Sequence, residues 1–194
     1  SAFPGFIKGD HGVLSGSTGV GKSKLAHFIL NTITNLRKSK HKLKIAIIFN
    51  TLEETVEKFK AGYIIEYLAE FGEEVSYYQL LGYSETLLTE RQLALAKDAT
   101  EFYEFEIEPY LTLVTESDAT NFYNFVIKEM SNYGSLQIVE IHGRKEEVFI
   151  YDDPNQWVIV VSDHIGCYRP RRGTNLYDTL QEFCITQSRV SLGL

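Results

Sequence analysis

Gly16-Ser17-Thr18-Gly19-Val20-Gly21-Lys22-Ser23 fits the pattern G-x-x-x-x-G-K-[ST] at every fixed position. Its flanks suit the pattern. Gly12-Val-Leu-Ser15 before it is short and apolar, like a buried strand. Lys24 to Leu36 after it reads as an amphipathic helix. Strand, glycine-rich turn and helix start are the three parts a phosphate-binding loop needs. The glycines let backbone N–H groups turn inward around an anion, and the helix N-terminus adds unpaired donors and a favourable dipole. Lys22 brings a positive charge to the β- and γ-phosphates, and the Ser23 hydroxyl is placed to hold Mg²⁺. The candidate nucleotide contacts therefore run from Gly16 through Ser23 to Lys24. The bland alternative, a chance glycine-rich turn, does not account for the agreement of pattern and flanks. The motif predicts a nucleoside triphosphate-binding protein.

The chain has 194 residues, of which 44% are hydrophobic and 23% charged, enough for one folded domain with a sizeable core. A formal charge of −7 argues against a surface coated in basic residues, while leaving room for a local basic patch. Cys167 and Cys184 are the only cysteines. They lack metal-ligand spacing and read as reduced thiols of a cytosolic protein. No signal peptide is visible, and no apolar run is long enough to span a membrane.

Outward from the motif, strands and helices alternate. Lys44-Ile-Ala-Ile-Ile-Phe49 is a continuous apolar run of the kind found in strands buried on both faces. Residues 56–71 look helical, with apolar positions at Val56, Phe59, Tyr63, Ile64 and Tyr67. Thr89 has the character of a helix cap, and Leu111–Val114 reads as a short strand. Asp118 or Thr120 starts a helix through Tyr133, with Gly134 as its stop. Leu136–Ile141 and Glu147–Tyr151 flank His-Gly-Arg-Lys and predict a hairpin with Gly143 in its turn. Trp157-Val-Ile-Val-Val161 is a second apolar strand, ending at Ser162-Asp163-His164. The order of elements predicts a three-layer α/β domain with a mainly parallel sheet.

Hydrolysis needs more than a phosphate cradle. A second contact to Mg²⁺ and a group that orients water are also required. Asp163 closes an apolar strand, which is where ligands bind in open parallel sheets, so it is the candidate metal ligand beside Ser23. An ordinary turn-starting Asp is the competing reading. Glu53 lies just past the run Lys44–Phe49 and is placed to polarise a water. The adjacent Glu54 is an equally available carboxylate, and two neighbours cannot both face one point. His164 follows Asp163 directly, and a packing or hydrogen-bonding role is the ordinary reading for a lone histidine.

Taken together, these segments resemble the RecA-like P-loop ATPases, and most nearly the motor domain of hexameric replicative DNA helicases, bacteriophage versions included. Gly5-Phe-Ile-Lys-Gly-Asp10 looks like the family's Gly-x-x-x-Gly-Asp lead-in, and the phosphate loop follows at the family's distance. Phe49-Asn-Thr-Leu-Glu53 resembles the family's Phe-Ser-Leu-Glu, with Thr51 as an extra residue. Val158 to Ile165 resembles the strand that ends in Asp. The likeness runs from about residue 5 to 185. It implies a single RecA-like ATPase domain over residues 1–194, with ATP and Mg²⁺ as cofactors, and Glu53 and Lys22 as catalytic residues. It also implies single-stranded DNA as a partner, a homo-oligomeric ring, typically a hexamer, and the cytoplasm of a bacterium or phage-infected cell. The family continues with a strand ending in a γ-phosphate-sensing Gln and then an arginine finger. Neither follows before Leu194, so the chain reads as C-terminally incomplete, and Gln187 precedes the expected sensor strand.

Tyr168-Arg-Pro-Arg-Arg-Gly-Thr174 follows the Asp163 strand. In RecA-like domains the loop beyond this strand faces a central channel. That resemblance makes Arg169, Arg171 and Arg172 candidate phosphate contacts and Tyr168 a candidate for stacking on a base. A solvated turn with arginines paired to nearby acids, or a subunit contact, would use the same residues. The functional expectation is a DNA helicase motor. The competing readings are a recombinase or circadian-type ATPase, a nucleotide-binding assembly module with little turnover, and a small-molecule kinase.

Overall fold

The structure, a computed structural model, describes residues 43–141, 143–163 and 167–169, together with 32 and 178. The phosphate loop Gly16–Lys24, His164, Arg171 and Arg172 lie outside the described residues.

Strand β1 (Lys44–Thr51) is the centre of a three-stranded sheet of order β2-β1-β5, all parallel. Its partners are β2 (Leu111–Val114) and β5 (Gln156–Asp163). The two-sided apolar run fits this central position. Ile45, Ile47 and Phe49 point to one face, where they meet Phe59 and Tyr63 of helix α1 (Val56–Glu70). Phe49 and Phe59 bring their ring centroids within 4.8 Å. Ile48 points to the other face, against Phe122, Val126 and Met130 of helix α4 (Ala119–Met130). Each such buried side chain contributes about 1.5–3 kcal/mol. Two helical layers around a parallel sheet give the expected three-layer α/β arrangement.

Helices start where the capping residues fall. Thr55 accepts a hydrogen bond from the Lys58 N–H at the head of α1. Ser76 and Gln79 form a capping box on the short helix α2 (Tyr77–Leu80). Thr89 and Gln92 form another on α3 (Glu90–Phe102), as the capping character of Thr89 predicts. Leu68, Val75 and Ala99 pack α3 onto α1. Asp118, rather than Thr120, caps α4, accepting from the N–H groups of Thr120 and Asn121 at 2.9 Å each.

Two boundaries differ from the sequence reading. Helix α4 ends at Met130, and Gly134 does not stop it but opens strand β3 (Gly134–Ile141). A Cβ at Gly134 would sit 2.1 Å from the Ile150 carbonyl oxygen, so glycine is needed there for close strand approach. The hairpin partner β4 (Arg144–Tyr151) is longer than expected, with Ile141 opposite Arg144. The turn therefore falls between Ile141 and Arg144, with Gly143 at φ 78°, and Arg144 and Lys145 belong to the strand.

Candidate functional site

The parallel pairing of β1 with β5 sets Thr51 opposite Asp163. The ladder runs one step further, because the Leu52 N–H donates to the Asp163 carbonyl at 2.7 Å. Glu53 and Glu54 follow at once in the bend that leads into α1. One sheet edge thus carries three carboxylates from two segments far apart in sequence, and it is the carboxyl-terminal edge, where parallel sheets present their ligand sites.

The two glutamates are not equivalent. Glu53 is exposed. Glu54 is partly buried, and the Thr51 hydroxyl donates to its carbonyl at 3.0 Å. Burial pushes the Glu54 carboxyl above the usual carboxylate range. Lys58 opposes that push, while the charges of Asp163 and Glu53 add to it. Thr51, the residue without a counterpart in the helicase pattern, is buried at the end of β1.

Between β1 and β2 the connections leave the sheet in opposite directions, toward α1 on one face and α4 on the other. Asn50 bridges that divide and is fully buried. Its Nδ2 donates to the Glu116 carbonyl at 2.8 Å, and its Oδ1 accepts from the Glu116 N–H at 3.0 Å. The same Nδ2 donates to the Tyr168 hydroxyl at 3.0 Å. Ser162, paired with Asn50 in the ladder, lies 2.9 Å from that hydroxyl through its Oγ. These residues were not singled out by sequence reading. The available signal was Asn50 itself, a polar residue two positions after Ile48 on an otherwise apolar face.

Tyr168 therefore does not present its ring for stacking on a base. It is 2% exposed, with its ring near Phe122 at 6.3 Å, and burial pushes its hydroxyl up to about 12. Phe122, Val126 and Met130 of α4 and Phe149 of β4 share its cluster, so the tyrosine is a packing and hydrogen-bonding residue. Its neighbour Arg169 is exposed, and the Arg169 N–H donates to the Ser117 carbonyl at 2.8 Å. The arginine side chain is thus carried at the same end of the sheet as Glu53, Glu54 and Asp163.

Among the described residues, no group of three or more His, Cys, Asp or Glu is arranged to hold a metal ion. The donor set nonetheless suits Mg²⁺ in a nucleotide complex, which takes one or two carboxylates and completes its shell with phosphate oxygens and water. Asp163 offers such a carboxylate at a strand end. No helix among the described residues is long and apolar enough to cross a membrane. In comparison with known proteins, no family model, no curated protein and no solved structure matches the chain.

Proposed function

We propose that this chain is an ATP-hydrolysing motor domain of the RecA-like replicative-helicase class, working on single-stranded DNA in a ring of subunits. The observation that carries the reading is the meeting of Asp163 with the Glu53–Glu54 bend at the carboxyl end of a parallel sheet, in a chain whose sequence holds a complete phosphate loop. An ATPase of this class needs a metal ligand and a base close together, and this edge offers carboxylates for both.

In this reading Gly16 to Lys24 wrap the phosphates, and Lys22 sits against the β- and γ-phosphates. Ser23 and Asp163 would hold Mg²⁺, which when bound would neutralise charge developing on the transferred phosphoryl group. Glu53, exposed at the end of β1, accepts the proton of the attacking water at a carboxylate oxygen. Exposure gives it access to a water, which the half-buried Glu54 has less of. Glu54 keeps the bend in place through its carbonyl, held by Thr51. Exposed Arg169 is the described member of the arginine cluster offered to DNA phosphates.

Phosphate release by the parent, Glu53→Gln and Glu54→Gln, with and without single-stranded DNA, tests the assignment. Glu53→Gln is expected to lose about 100-fold or more in turnover while still binding Mg-ATP, as removal of a general base does. Glu54→Gln is expected to keep most activity. The reverse ranking moves the base to Glu54. No turnover in any form, with ATP still bound, favours the assembly-module reading.

A further inference from the structure

We propose that Asn50 and Tyr168 are positioning residues, a buried latch that fixes the segment 167–169 against the sheet edge carrying Glu53, Glu54 and Asp163. The latch couples a polyanion held at Arg169 to that edge, and this coupling role rests on the function proposed above. The fixing role rests on geometry alone.

The argument begins with cost. A fully buried amide is kept only where its hydrogen bonds are made. Asn50 makes three, and they join three separate pieces of chain. Through Glu116 it holds the loop that leaves β2. Through the Tyr168 hydroxyl it holds a residue 118 positions away. Ser162 supplies the second partner of that hydroxyl from β5, one residue before Asp163. The Arg169 N–H then closes the circuit by donating to Ser117, next to Glu116. The Tyr168 ring is seated among Phe122, Phe149 and Ile48, so the residue is anchored at its ring and at its hydroxyl.

This arrangement has a chemical consequence. Arg169 is exposed, yet its backbone is tied on one side to Tyr168 and by its own N–H to Ser117. A phosphate drawn to its guanidinium pulls on a segment whose restraint is Asn50. Asn50 is a residue of β1, three positions before Glu53 and in register with the residue preceding Asp163. Polyanion binding is thereby felt at the carboxylates through one packed, hydrogen-bonded unit.

The molecule supplies its own probe. Cys167 is an exposed thiol directly beside Tyr168. In the full chain carrying Cys184→Ser, the rate of Cys167 labelling by a maleimide is measured for the parent, Tyr168→Phe and Ser162→Ala, with melting curves as a fold control. Tyr168→Phe keeps the ring and removes the hydroxyl. It is expected to label at least about fivefold faster, the opening that follows loss of the hydroxyl's bonds to Asn50 and Ser162, with the melting transition still cooperative. Ser162→Ala leaves the Asn50 bond in place and is expected to label faster than the parent by a smaller factor. In parallel, Tyr168→Phe is expected to keep basal phosphate release and to lose most of its stimulation by single-stranded oligonucleotide. Unchanged labelling in both variants overturns the latch. Faster labelling with full stimulation overturns the coupling. A parent with no nucleotide turnover fails the proposed function and not the latch, which the labelling rates then decide by themselves.

Discussion

The two ends of the parallel sheet are held by different physics. At the carboxyl end, Asn50 and Thr51 are buried and hydrogen-bonded, and Tyr168 and Ser162 join the same network. At the amino end Gln156 is buried but bonds to the carbonyl of its neighbour Trp157, and the side-chain links between segments are exposed ion pairs. Lys44 meets Asp153 at 2.7 Å with side chains 66% and 34% exposed, and Lys60 pairs with Glu108 ahead of β2. Buried bonds are costly to break because their partners are left without water. Exposed pairs are screened and entropically costly to hold, so they add little. Among the described residues, the end that carries the candidate site is the one where buried hydrogen bonds join segments far apart in sequence.

The largest effect is expected from removing the junction itself. Asn50→Leu keeps the branching at Cγ, though it is larger, and leaves the Glu116 N–H and the Tyr168 hydroxyl short of a partner. Chemical denaturation is expected to show a loss of about 3 kcal/mol, the scale for orphaning buried polar groups. A loss no greater than that of a surface substitution would erase the contrast between the ends. At the amino end, Lys44→Ala is expected to change stability by only a few tenths of a kcal/mol, as about the median exposed pair does, in the same denaturation assay. A loss rivalling that of Asn50→Leu would invert the comparison.

The smallest effect is a pH dependence at Glu54. Its carboxyl is held above its ordinary value of 4.5 by burial first, with Asp163 and Glu53 adding to the rise. The folded chain therefore binds this proton more tightly than the unfolded chain. Between 4.5 and the raised folded value, stability grows as pH falls, and it is lost again as pH rises through the folded value. Glu54→Gln is expected to melt slightly higher than the parent at neutral pH. The difference should shrink as pH is lowered toward 4.5. A difference that widens on acidification would place a favourable partner on the ionised carboxylate.

The same contrast explains what the sequence disclosed. Lys44–Phe49 and Trp157–Val161 were legible as strands because packing against a layer on each face leaves a local apolar run. Thr89 was legible as a cap, and Asp118 as one of two candidates with Thr120, because a cap acts within one helical turn. Their parallel pairing, and with it the meeting of Asp163 with the Glu53 bend, followed from strand order and is seen in the register. Gly134 was misread because its reason is a carbonyl of Ile150 across the hairpin, not a helix end. Tyr168 was misread because an aromatic beside arginines looks the same in sequence whether it faces solvent or a core. Only its bond to Asn50, across 118 positions, separates the two. The phosphate loop remains a sequence finding, since Gly16–Lys24 lie outside the described residues.

The central claim is that the carboxylate edge serves a nucleotide held by that loop. Calorimetric titration of the chain with Mg-ATP, beside Lys22→Ala, tests it most directly. The account predicts saturable binding by the parent and a loss of at least about tenfold in affinity for Lys22→Ala, since a charge-assisted phosphate contact is removed. Equal affinity in the two proteins, or a parent that binds no Mg-ATP, contradicts it.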